Sequence, residues 1–146
     1  MKRAGLIVGC LLMLLFLFGC TSEELEDMNT KNNKTVTFIN EVNEADVWIL
    51  PKTEENLKTT VWGKATISKI KKNESRKAVL CEAGDNGLYI FRMIDTDSFY
   101  YSANDITLKA DWSLKIKEKD LNSFVLEVTD ENGDLKNTYE VFSARL

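Results

Sequence analysis

Histidine is absent from the 146-residue sequence, and proline occurs once. Without an imidazole, the chain lacks the commonest catalytic base, the usual activator of serine or cysteine nucleophiles and the commonest metal ligand. Basic residues are outnumbered, 19 against 23 acidic ones, which argues against nucleic acid as a partner because phosphate binding depends on Lys and Arg. No G-x-S-x-G elbow, glycine-rich phosphate loop or C-x-x-C pair is present. We therefore expect a non-enzymatic protein with no catalytic residues, no metal and no cofactor.

The N-terminus has the pattern of an export signal. Met1, Lys2 and Arg3 form a short basic start, and residues 4–19 are apolar or small throughout. Such a run matches a signal-peptide core and is shorter than the ~20 residues that cross a bilayer comfortably. It ends in Leu17-Phe18-Gly19-Cys20. This segment resembles the lipobox of bacterial lipoproteins, which implies cleavage before Cys20, a diacylglyceryl group on its sulfur and usually an acyl chain, such as palmitate, on its new amino group.

Cys10 offers a competing lipobox in Ile7-Val8-Gly9-Cys10. Cleavage there would leave an apolar core of about six residues, which is too short for a signal peptide. Cys20 is therefore the predicted lipid attachment site, with a plain N-terminal anchor helix as the alternative. Acyl chains contribute ~0.8 kcal/mol per buried methylene, so two or three hold a protein stably on a membrane. We expect the protein on the bacterial cell membrane or outer membrane, facing the periplasm or the cell exterior.

The mature chain divides into a tether and a folded domain. Residues 20–34 are predicted to be the lipidated cysteine and a disordered tether, because their side chains bury too little apolar surface to offset the entropy of ordering. From residue 35 apolar and polar residues alternate with period two, as in residues 106–116, which is typical of half-buried strands. We predict an all-β domain over residues 35–146, an antiparallel Ig-like β-sandwich of about eight strands.

Three local features refine this prediction. Residues 88–94 are apolar on both faces except for Arg92, which predicts a central strand covered on both sides. The alternation over residues 106–116 is too long for a typical strand, so a bend is expected near Ala110 and Asp111. One helical turn is expected around residues 54–58.

The domain also resembles a small family of secreted bacterial β-sandwich proteins. The segments that carry the resemblance are Val36-Thr37-Phe38-Ile39-Asn40, Val47-Trp48-Ile49-Leu50-Pro51, Trp62-Gly63, Lys72-Asn73-Glu74-Ser75 and Tyr89-Ile90-Phe91-Arg92-Met93-Ile94-Asp95. They occur in the family's order and cover about residues 36–116. The resemblance implies a β-sandwich behind a signal peptide or lipobox, and it implies no activity.

Carboxylate pairs are the candidates for chemistry. Asp95 and Asp97 together suggest either an acid–base pair for glycoside hydrolysis or ordinary turn residues that cap local backbone groups, and the turn is favoured. Residues 130–134 are similar to the start of a calcium loop, but their glycine comes too early and Val141 stands where a bidentate Glu is needed. Neither pattern therefore predicts a catalytic or metal site.

Aromatic residues are the candidates for binding. Trp48, Trp62 and Tyr100 are the residues that we expect at a binding surface, because Trp62 follows a polar loop and Tyr100 lies on the opposite strand face from Phe99 and Tyr101. Burial in the core is the alternative for each ring. Exposed rings supply contact area at a low entropy cost, which suits stacking on a sugar or gripping a peptide.

The sequence predicts a lipid-anchored binding domain of the bacterial envelope. Its partners are expected to be the membrane, through the lipid anchor, and an unidentified protein or glycan. Two alternatives are an inhibitor of envelope-degrading hydrolases and a carboxylate-dependent hydrolase that uses Asp95 and Asp97.

Overall fold

The computed structural model describes residues 33–146. The predicted signal peptide (residues 1–19), Cys20 and all but the end of the predicted tether lie outside the described residues, and these assignments stay predictions. Within the described part of the chain, no helix is long and apolar enough to cross a membrane.

Nine strands and one short α-helix make up the domain. They are β1 (Lys34–Asn40), β2 (Ala45–Pro51), α1 (Glu54–Lys58), β3 (Ile67–Ile70), β4 (Glu74–Leu80), β5 (Tyr89–Asp95), β6 (Phe99–Ile106), β7 (Ser113–Asp120), β8 (Ser123–Thr129) and β9 (Leu135–Arg145). The predicted helical turn is confirmed as α1, in which the Thr53 hydroxyl accepts from the backbone N–H of Asn56 as an N-cap.

The strands form one mixed sheet in the order β3-β2-β5-β6-β9-β8-β7-β1-β4, and this sheet is nearly barrel-shaped. The all-β class is thereby confirmed, whereas two separate sandwich layers are not shown. The sheet is not purely antiparallel as predicted, because β1 pairs in parallel with β7. These two strands are far apart in sequence, so a long crossover connects them, as parallel pairing requires.

Strand β9 joins the two halves of the sheet. Its first part pairs with β8 and its last residues pair with β6, so one continuous strand serves both halves. The two edge strands, β3 and β4, follow each other in the chain. The Arg76 side chain on β4 donates a 2.7 Å hydrogen bond to the Ser68 carbonyl on β3, which links the two edges.

The core fills the space that the curved sheet encloses. The rings of Phe38 on β1 and Phe91 on β5 stack with centroids 5.9 Å apart, although these strands are not neighbours in the sheet. Strand β5 lies between β2 and β6 and is buried along nearly its whole length, which confirms the prediction of a central strand covered on both sides.

The expected bend near Ala110 and Asp111 is confirmed. Strand β6 ends at Ile106 and β7 begins at Ser113, so the alternating run is divided between two strands. Asp111 occupies the left-handed region with φ 66°, a conformation that Asp tolerates better than most residues. Its backbone N–H donates to the Thr35 carbonyl, which ties the bend to β1.

Candidate functional site

The outer face of β5 carries the candidate site. Backbone register places Trp48 on β2, Arg92 on β5, Ser102 on β6 and Phe142 on β9 directly opposite one another in one row. Residues paired in this way project from the same face of a sheet. The core residues Phe91 and Met93 point inward, so this row projects away from the core.

A segment without regular structure, residues 59–66, crosses this face, and we call it the strap. The ring of Trp62 contacts the ring of Trp48 at a centroid distance of 5.5 Å. It also stacks on Tyr100 at 5.9 Å with an interplanar angle of 9°. Trp48, Trp62 and Tyr100 therefore form one aromatic cluster. Because Trp48 lies on β2 and Tyr100 on β6, the Trp62 ring spans the intervening strand β5.

The cluster borders exposed apolar side chains. Phe142, in the same row as Arg92, is 63% exposed, and Val61, next to Trp62 in the strap, is 79% exposed. Tyr100 and both tryptophans are partly exposed. The face thus combines ring surfaces with accessible apolar side chains, a composition that suits an interaction surface.

Arg92 is the charged residue beneath this cluster, and only 6% of it is exposed. Its Nη1 donates to the carbonyls of Phe91 and Ala103 and to Oδ1 of Asn104 at 2.8–3.2 Å. The β5–β6 register shifts beside these residues, and Asp105 has φ 60°. A bulge of this kind redirects side chains, and here Asn104 meets the guanidinium.

The described part of the chain places no carboxylate in an ion pair with Arg92. Burial lowers the pKa of the guanidinium, and the nearby phenol of Tyr100 acts in the opposite direction. Since an arginine stays protonated in proteins, the face contains a mostly buried positive charge whose partners are all neutral.

The two indole N–H groups of the cluster differ in their partners. Trp48 Nε1 donates a 3.1 Å hydrogen bond to the Gly63 carbonyl in the strap. Trp62 Nε1 is buried and has no hydrogen-bond partner among the residues that the structure describes. Burial of an N–H group without an acceptor costs free energy and is rare in native proteins. The indole N–H of Trp62 is therefore an unsatisfied donor on this face.

The structure brings together Trp48, Trp62 and Tyr100, the residues that the sequence predicted for a binding surface. Phe99 packs against the core and Tyr101 is buried in it, on the opposite strand face from Tyr100, as expected. Sequence reasoning missed Arg92 and Phe142. The signal for Arg92 was present: it is the one charge within an otherwise apolar run, and a buried charge requires partners.

Asp95 and Asp97 differ in their surroundings and in their hydrogen-bond partners. Oδ1 of Asp95 accepts from the backbone N–H groups of Asp97 and Phe99 at 2.9 Å, and its Oδ2 accepts from the Tyr101 hydroxyl at 2.8 Å. Asp97 is exposed and accepts from the side chain of Asn43. The buried carboxylate therefore caps the β5–β6 turn, as the favoured interpretation expects.

The carboxylate of Asp130 also acts within a turn. Its Oδ1 accepts from the N–H groups of Asn132 and Asp134 at 2.9 Å, and its Oδ2 lies 3.0 Å from Nζ of Lys136. The backbone hydrogen bond from Asp134 is the main cause that lowers its pKa, and Lys136 adds to this. In the part of the chain that the structure describes, no three His, Cys, Asp or Glu side chains are grouped to hold a metal ion.

Comparisons of this chain with protein-family models, curated proteins and solved structures found no match.

Proposed function

We propose that this protein is a lipid-anchored binding domain of the bacterial envelope that recognises its partner through the outer face of β5. The observation that carries the proposal is the gathering of Trp48, Trp62 and Tyr100 from three separate segments into one aromatic cluster beside exposed Phe142. Rings held in this way present a large contact area at a low entropy cost. The proposed role is non-enzymatic, with a glycan or protein of the envelope as the partner.

The sequence supports the location. A basic start, an apolar run and the segment ending in Cys20 together favour export and acylation. The anchor would place the domain on the cell membrane or outer membrane, facing the periplasm or the cell exterior. Tethering raises the local concentration of the binding face at that surface, so modest affinity suffices for stable association.

A two-layered, sandwich-like packing belongs to the same proposal. The stacked rings of Phe38 and Phe91 come from opposite halves of the sheet, which supports direct packing of one half on the other. Such packing would hold β5 from behind and keep its outer face rigid, which favours binding.

Crosslinked co-purification tests this function. The full-length protein would be crosslinked in its own membranes, purified, and its partners identified by mass spectrometry. We expect a specific envelope protein or glycan with the wild type, and its loss with Tyr100→Ala and Trp62→Ala. Leu121→Ala is the matched control, because Leu121 is 88% exposed but lies at the β7–β8 turn, outside the face. A blank at good yield, or equal capture by all variants, would contradict the proposal.

The anchor has its own test. Cys20→Ala should leave the signal peptide uncleaved or release the protein from the membrane fraction, because the acylated residue would be missing. Cys10→Ala is the control and should change neither property. A Cys20→Ala protein that is processed and retained in the membrane like the wild type would exclude lipidation at this position.

A further inference from the structure

We propose that the outer face of β5 binds a saccharide that carries a carboxylate, with the sugar ring on the aromatic cluster and the carboxylate on Arg92. This inference rests on the proposed function, since it names the ligand class for the same face. The observations that carry it are a mostly buried cation without a carboxylate partner and a buried indole N–H without an acceptor, both within residues 33–146, which the structure describes.

The polar groups that remain unused on this face are donors. The three hydrogen bonds that Arg92 makes with described residues all use Nη1, so within residues 33–146 the N–H groups on Nε and Nη2 stay available. Trp62 Nε1 is the only fully buried side-chain polar atom without a partner in the described residues, so Nε and Nη2 keep some contact with solvent. An arginine with an open edge matches the two oxygens of a carboxylate.

Side-chain hydrogen bonds connect the strap to β2. Among its contacts with β2 are hydrogen bonds from Trp48 Nε1 to the Gly63 carbonyl and from the Ile49 N–H to the Thr66 hydroxyl. Displacement of the strap by a ligand would bring Trp62 Nε1 within reach of a ligand oxygen.

A ring-shaped ligand fits this face better than an extended peptide. Peptides that bind to sheets usually add a strand to an open edge. Strands β2, β5, β6 and β9 all lie inside the strand order, so this face is away from the two edge strands, β3 and β4. It offers ring surfaces instead, and the flat C–H face of a sugar packs on such rings. The combination of ring surface and unused donors therefore indicates an acidic sugar.

Binding to matched pairs of sugars tests the inference. The probes are oligosaccharides that contain glucuronic, galacturonic, sialic or muramic acid, each beside its carboxyl-reduced counterpart, titrated against the full-length protein in detergent. We expect at least one acid to bind about tenfold more tightly than its reduced form, as one charge-assisted interaction allows. Arg92→Gln should abolish this preference.

Trp62→Phe keeps an aromatic ring at this position but removes the indole N–H together with part of the ring surface, so it should fold normally and bind the acid at least about fivefold more weakly, the loss of one hydrogen bond. Trp112→Phe is the matched control. It also removes an indole N–H, but one that donates to Glu131 in another part of the domain, so affinity should not change. If Arg92→Gln fails to fold, the Trp62→Phe result and the acid-to-reduced ratio of the wild type still decide the question.

The outcomes separate this inference from the proposed function. Equal binding of acid and reduced sugar would exclude the role of Arg92 while leaving a sugar-binding face. Binding of no sugar, with a protein partner captured through Trp62 and Tyr100 in membranes, would overturn the saccharide assignment alone. No sugar and no captured partner would overturn both proposals.

Discussion

The phenol of Tyr101 donates a 2.8 Å hydrogen bond to Oδ2 of Asp95, and both residues are buried. Burial raises the pKa of this phenol, and the hydrogen bond to Asp95 adds to the shift. Tyr101→Phe would leave a buried carboxylate oxygen without its partner. We expect the free energy of unfolding to fall by about 1.5–3 kcal/mol, the range for hydrogen bonds to charged groups, as measured by urea denaturation.

Tyr100→Phe provides the control for this prediction. Its side chain lies on the other face of the same strand, and no hydrogen bond of its hydroxyl is found among the described residues. It should therefore change stability much less than Tyr101→Phe. If both substitutions lower the free energy of unfolding equally, the hydrogen bond from Tyr101 to Asp95 contributes nothing to stability beyond what any hydroxyl at the surface of this strand contributes.

The buried phenol of Tyr89 predicts that the domain loses folding stability at alkaline pH. Burial is the main cause that raises the pKa of its phenol from 10.0 to about 12, and the charge of Glu82 adds to it. A pKa that is higher in the folded state favours the neutral phenol there, so its contribution is complete below pH 10.0 and is lost as the pH rises through about 12. Tyr89→Phe should therefore flatten the loss of stability in this range, measured by urea denaturation at each pH.

The ultraviolet absorbance of tyrosinate gives an independent check on the same residue. The difference between the titrations of wild type and Tyr89→Phe should lie near pH 12. A difference centred near pH 10.0 would mean that the phenol is solvated, contrary to its complete burial.

At the scale of elements, the loop between β4 and β5 depends on a close approach to Lys52. A Cβ added to Gly84 would lie 2.0 Å from the Lys52 carbonyl oxygen, and this backbone atom cannot rotate away. The Asp85 N–H also donates to that carbonyl at 2.7 Å. Gly84→Ala should therefore displace the loop and lower the free energy of unfolding by about 1–3 kcal/mol, as overpacking does.

Gly87 lies in the same loop and supplies the comparison. Its φ is +73°, but a Cβ there would meet nothing within 4 Å. Gly87→Asn should cost little, because Asn tolerates the left-handed region. If thermal denaturation shows equal losses for the two variants, the close approach to the Lys52 carbonyl is not what requires glycine at position 84.

The elements were largely predictable because strand periodicity is local. The alternation over residues 106–116, the apolar β5 and the helical turn at α1 were each visible in the sequence. The pairing of β1 with β7 was not visible, since register between distant strands leaves no short-range signal. The mixed character of the sheet therefore emerged only from the structure.

The aromatic residues of the candidate site were predicted from the sequence, but its charged residue, Arg92, was not. The sequence predicted three aromatic residues at a binding surface, Trp48, Trp62 and Tyr100. The contacts between their rings, however, depend on the path of the strap. Arg92 joins them through its register with Trp48, and Asn104 reaches it through a bulge. Register and bulges are set by tertiary pairing, so sequence periodicity alone cannot place these side chains together.

At the scale of the whole molecule, the pairing of β9 with both halves of the sheet predicts that the domain unfolds as one cooperative unit. The tryptophans divide between the halves of the sheet: Trp48 and Trp62 lie on the half with β2 and β5, and Trp112 precedes β7 in the other half.

Fluorescence can report on each half separately in variants that retain only Trp62 or only Trp112, with the other tryptophans replaced by phenylalanine. We expect each variant to have the same urea midpoint by fluorescence as by far-ultraviolet circular dichroism, because β9 and one shared core connect the halves. Fluorescence midpoints that differ from the dichroism midpoint would show that the halves unfold independently.

The parallel pairing of β1 with β7 has a consequence for how the chain is made. Strand β1 is synthesised first among the strands, but it must wait for β7, β8 and β9 before its half of the sheet is complete. Contacts between such distant segments form slowly, because a long loop must close before they contribute. Until the last strands have been synthesised, the half of the sheet that contains β1 is therefore incomplete. Folding of this half would begin only once β9, the last strand of the chain, has left the ribosome.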